Sequence, residues 1–185
     1  MSIVRLVLFV MAVASTPLPS LDSGVVAAQQ ADHAAHVGRS PSAFVEAVRQ
    51  ATEQFRDIRN VPAEYGPALG CVSGPDEGAM GVHLVNGTLL QNEVLDPATP
   101  EALIYEFKKG VARLVGVEFI VFAEAWHRTH APNDPPILEG QLLHFVDSPN
   151  RFGLPAHYEL HVWAWRDNPK GVFVDWNPRV TCEGQ

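Results

Sequence analysis

Residues 157–165, HYELHVWAW, alternate two kinds of side chain at every step. Odd positions hold His157, Glu159, His161, Trp163 and Trp165, and even positions hold Tyr158, Leu160, Val162 and Ala164. Extended backbone turns successive side chains to opposite faces, so the pattern specifies a strand with one apolar face and one face of imidazole, carboxylate and indole. A helix would scatter both sets around its circumference.

The next residues extend this reading. Asn168-Pro169-Lys170-Gly171 suits a type I turn, with proline first and glycine in the left-handed position. A three-residue hairpin loop with a bulge is predicted, with Arg166 facing Val174 and Ala164 facing Trp176. In that register Phe173, Asp175 and Asn177 share the face of the histidines and tryptophans, and a slip of one residue would exchange the faces.

Three uses of such a face compete. It can be a second core layer beneath a helix, with every nitrogen hydrogen-bonded. It can wall a pocket for a small organic ligand, with Trp163, Trp165, Asp175 and Asn177 as the binding residues. Or it can ligate a metal through alternate strand positions. Residues two apart on a strand are ~6.6 Å apart and those four apart ~13 Å, so His157 and His161 are awkward partners for one ion. The better set is Glu159 and His161 with a histidine from a neighbouring strand, His83 or His144. Nitrogen and oxygen donors of this kind suit a divalent transition metal: zinc, iron or copper.

Elsewhere, the spacing of Phe44, Val48, Ala51, Phe55 and Ile58 predicts a helix over 42–59, with Ser40 or Ser42 as its N-cap and Pro62 beyond its end. Strands are predicted at 103–107, 111–124 and 137–146. Asn86-Gly87 after GVHLV reads as a tight hairpin turn, and with Thr88 as a glycosylation sequon. Glu118 sits in the apolar second strand beside Leu114, Ile120 and Phe122. A carboxylate there needs a donor, a cation or a metal, or must keep its proton. The fold class expected is α+β: a mainly antiparallel sheet curled into a barrel or half-barrel, with the helix packed on it.

The chain has 185 residues, enough for one domain, expected over 42–185. Arg5, the apolar run 6–14 and Val26-Ala27-Ala28 predict an export signal over 1–28, followed by a flexible lead-in over 29–41. His33 and His36 in the lead-in form only a weak metal pair without packed support. The formal charge of -8 and the lack of a basic run argue against nucleic-acid binding. No segment is apolar for long enough to span a bilayer. Two cysteines, Cys71 and Cys182, fit one disulfide in an oxidising compartment. Gly70 to Gly74, GCVSG, places its serine one position late for a nucleophile elbow, and no catalytic residue is singled out.

The segments CVSGPDEGAMGVHLVN, PEALIYE, LVGVEFIV and YELHVWAWRDNPKGVFVDWNPRVTC resemble a family of uncharacterised exported bacterial proteins, over about residues 70–182. The resemblance implies an envelope or secreted location and brings no activity, cofactor or site residue with it. The expectation is therefore an exported small-ligand or metal-binding protein with its site on the last hairpin. The alternatives are a small metal-dependent enzyme of oxygenase, isomerase or hydrolase type, and a structural envelope protein without a site.

Overall fold

The computed structural model describes residues 41–183. The expected export signal, His33, His36 and Ser40 lie outside the described residues.

Helix α1 (Pro41–Thr52) is followed by two short 3-10 turns, Glu53–Arg56 and Ile58–Asn60. The apolar stripe of the sequence is therefore carried by a helix that tightens and ends earlier than its spacing predicted. Strands β1 (Tyr65–Gly74), β2 (Gly78–Asn86), β3 (Ala102–Lys108) and β4 (Val111–Phe122) follow, with helix α2 (Gly87–Gln91) after β2. Helix α3 (Ala123–Trp126), the short strands β5 (Ile137–Leu138), β6 (Gln141–Leu142) and β7 (His144–Val146), and finally β8 (His157–Val162) complete the fold. Six strands form one antiparallel sheet in the order β1-β2-β3-β4-β8-β7, curled into a half-barrel. No helix among the described residues is long and apolar enough to cross a membrane.

The convex face carries the main core. Leu103, Tyr105, Val117, Phe119, Leu160 and Val162 pack there against Phe44 and Val48 of α1. The even positions of β8 are thus core, as their residue types require. The helix covers this face, and the His/Glu face of β8 is turned away from it.

Several local readings are corrected. Asn86-Gly87 makes no hairpin turn: the Asn86 side chain accepts hydrogen bonds from the Thr88 and Leu89 amides and caps α2. The β1–β2 hairpin instead closes through Asp76 and Glu77, where Asp76 and Gly78 take positive φ. The expected strand 137–146 is broken by Glu139-Gly140, both at positive φ, into the β5–β6 hairpin and β7.

The last hairpin also differs. The Asn168–Gly171 turn is present, with the Gly171 amide donating to the Asn168 carbonyl at 3.0 Å. No strand continues past Val162, however, and the Trp163 amide donates to the Val172 carbonyl at 2.9 Å, outside the predicted register. Residues 163–183 form an irregular strap, joined to β2 by the Ala79–Asn177 bridge and to β1 by the Cys71–Cys182 disulfide.

A bulge in β4 decides which residues share the concave face. Ile104 pairs with Gly116 and Tyr105 with Leu114, so Val115 is the extra residue. Leu114 consequently joins the core under α1, while Val115 packs with Ile104 and Trp163 on the other side. Gly116 is required at this crossing, because a Cβ there would lie 2.8 Å from the Val162 carbonyl oxygen.

Candidate metal centre

Register assembles the site. Glu118 on β4 lies opposite His161 on β8, and His144 on β7 lies opposite Glu159. His83 on β2 faces Ile104, which places it on the same concave surface two strands away from β4. Curling of the sheet then brings His83 and Glu118 together across β3.

The central group is His83, Glu118 and His161, whose candidate ligand atoms all lie within 4.8 Å of one another. His83 Nε2 is 3.5 Å from Glu118 Oε2, and His161 Nδ1 is 3.8 Å from Glu118 Oε1. All three are buried, with His161 only 1% exposed. A second set, Glu159, His161 and Asp175, meets the same spacing. Asp175 arrives from the strap, with Oδ1 3.5 Å from Nδ1 of both His161 and His144.

Hydrogen bonding leaves this centre unfinished. Neither ring nitrogen of His161 has a hydrogen-bond partner, and the same holds for His83 Nδ1 and Asp175 Oδ1. Buried polar atoms are nearly always partnered, and orphans concentrated in one cluster mark a place where an ion or ordered solvent belongs. His157 contrasts with them. Its Nδ1–H donates to the Pro155 carbonyl at 2.8 Å, and its Nε2 lies 3.1 Å from Glu159 Oε2, so both nitrogens are engaged.

The electrostatics follow from packing. Burial pushes His83 down to about 3, helped by the charge of His161, so its ring is neutral with a free lone pair. Burial raises Glu118 to about 8 against the attraction of His161, with Glu159 and Asp175 adding to the rise. Burial alone would lower His161, but Glu118, Asp175 and Glu159 outweigh it and lift the imidazole to about 9. Burial would likewise raise Glu159 and Asp175, yet His157 and His161 hold the first below its ordinary value and His161 and His144 the second. Burial thus favours a proton on Glu118, while the carboxylates around His161 favour one on its imidazole.

The structure separates the residues the alternation grouped. His83, His161, Glu159 and Asp175 converge, with His157 held against Glu159. His144 sits at the rim with its side chain 57% exposed. Trp163 is buried behind His161, ring centroids 6.2 Å apart, and donates from Nε1 to the Val174 carbonyl at 2.5 Å. Trp165 lies on the opposite side, where Nε1 donates to Thr52 Oγ1 at 3.0 Å and Arg56 stacks over the ring. Asn177 is fully buried, and its side chain ties Asp167 and Arg179 within the strap. Glu118 is the candidate ligand that the alternation argument left out. Its signal was present, a lone carboxylate in the most apolar strand.

Chemically, two imidazoles and one carboxylate on a rigid sheet form a donor set used for zinc and for non-haem iron, with coordination positions left open. Comparisons with protein-family models, with curated proteins and with solved structures find no match.

Proposed function

We propose that this is an exported protein that holds one divalent transition-metal ion on His83, Glu118 and His161. The observation that carries the proposal is the meeting of these three donors, from β2, β4 and β8, in a buried cluster where neither nitrogen of His161 has a hydrogen-bond partner. Charge supports it as well. A divalent ion that displaces the protons of Glu118 and His161 leaves the net charge of the buried cluster unchanged, so binding need not bury an uncompensated charge. Glu159 and Asp175 stand next to the three donors to orient His161 or to complete the coordination. Zinc and iron fit the donor set best.

Export is supported by the leader-like sequence over 1–28 and by the Cys71–Cys182 disulfide, which fits an oxidising compartment. Membership of the exported bacterial family that the sequence resembles belongs to the same proposal.

Elemental analysis of the untagged protein tests the reading. One equivalent of zinc or iron is expected, lost in His83→Ala and His161→Ala and retained when His33 and His36 are both replaced by alanine. Metal absent after growth in supplemented medium and after reconstitution, with the protein folded by circular dichroism, would refute it. If metal is present, turnover assays on the loaded protein separate a metal-dependent enzyme from a carrier.

A further inference from the structure

The concave face holds more than the donor cluster. Beside it lies a cavity of about 150 Å³, walled by Leu69, Met80, Ile120 and Phe122 from the sheet. Leu90 of α2 and Leu154 of the loop before β8 close its outer side. Its floor is polar, where His83, Glu118, His157 and Glu159 reach the lining. We propose that this cavity binds one small, uncharged, hydroxyl-bearing apolar molecule of single-ring size, with phenol as the simplest representative.

Size sets the upper limit. A cavity of about 150 Å³ with mainly apolar walls accommodates a benzene-sized molecule. A fused two-ring compound exceeds that volume. The polar floor sets the head group. Glu159 accepts hydrogen bonds from His157 and Glu118, and a carboxylate has acceptor capacity beyond these, so a hydroxyl can donate to it. An ionised ligand would be buried without a free counter-charge, because His157 and Glu159 already satisfy each other. Access is available through half-buried Leu90 and Leu154, which belong to a short helix and a loop, so entry does not require the sheet to open.

The cavity shares His83 and Glu118 with the proposed metal cluster, so ligand binding is measured on the metal-free protein. The test uses the full chain after chelator treatment, titrated calorimetrically with phenol, toluene, benzoate and 2-naphthol. Phenol and toluene are expected to bind at one equivalent, phenol about fivefold tighter through its hydroxyl. Benzoate and 2-naphthol should bind at least about tenfold more weakly than phenol, the first for its charge and the second for its size. Leu90→Trp and Leu154→Trp lie on the half-buried rim and fill the mouth. Each should weaken phenol binding about tenfold while leaving the circular dichroism spectrum unchanged. Lack of saturable phenol binding, equal binding of benzoate or 2-naphthol, or undiminished binding in both folded tryptophan variants would overturn the proposal. Metal loading is read separately by elemental analysis, so failure of one site leaves the other standing.

Discussion

Glu118 shows how much one side chain can determine. Its position in an apolar strand requires a proton or a cation beside it, and the fold supplies His83 and His161 while burial retains the proton. Metal binding must then release that proton and the one on His161. Apparent zinc affinity should therefore rise with pH and level off once Glu118 and His161 have lost their protons. Competition with a chelator at several pH values measures this slope; a pH-independent affinity would mean that the ion binds elsewhere.

Glu101 offers a second residue-level test, away from the cluster. It is 1% exposed, and its carboxyl accepts from the Ile120 amide at 3.0 Å where the β3–β4 pairing ends. Burial raises it from 4.5 to about 8. The folded state thus keeps a proton that the unfolded chain has already lost, and this contribution is full below about 4.5 and lost as pH rises toward 8. Glu101→Gln should flatten the decline in unfolding free energy across that window by about 2–4 kcal/mol. Denaturant unfolding at pH 5 and pH 8 reads it, and an unchanged slope would show that Glu101 is ionised in the fold.

Among the elements, the strap over 163–183 is the one whose sequence misleads. Its turn chemistry is genuine, but it lacks a neighbouring strand and is held by side chains instead. Asn168 Nδ2 donates to the Trp176 carbonyl at 3.0 Å, the Thr181 amide donates to Glu106 Oε1 at 3.1 Å, and Cys182 is bonded to Cys71. Local alternation predicts two faces but cannot tell where pairing stops, so Trp165 and Asn177 were grouped with residues they do not meet. The disulfide spans a sequence separation of 111 residues. Replacing both cysteines by serine should cost about 3–5 kcal/mol, because it restores conformational freedom to a long unfolded loop. Urea unfolding measures the loss, and a change below about 1 kcal/mol would show that the strap is held without it. The proposed metal donors lie on β2, β4 and β8, so the double variant should still take up one ion when folded.

At the scale of the molecule, the architecture was largely legible and the site only in part. Period-two alternation and the β-branched run of β4 announced an antiparallel sheet, and the spacing of Phe44 and Val48 announced the helix that covers it. Sequence also conveyed that the sheet curls, but not which residues the curl brings together. The bulge at Val115 exchanges the faces of Leu114 and Val115, and the curl brings His83 to Glu118 across β3, a meeting between residues 35 positions apart in sequence. Residues 157–165 pointed to the face where His83, Glu118 and His161 meet, while Glu118 was legible as a carboxylate in need of a partner but not as a neighbour of those histidines.

The convergence of His83, Glu118 and His161 on one ion is tested most directly by long-range proton–nitrogen NMR of the histidine rings during zinc titration. The ring signals of His83 and His161 should shift together, reach their end point at one equivalent of zinc, and return on adding chelator. His157, with both nitrogens engaged, should keep its protonation pattern. Unshifted His83 and His161 signals in the presence of zinc, or shifts confined to His144, His33 and His36, would contradict this account.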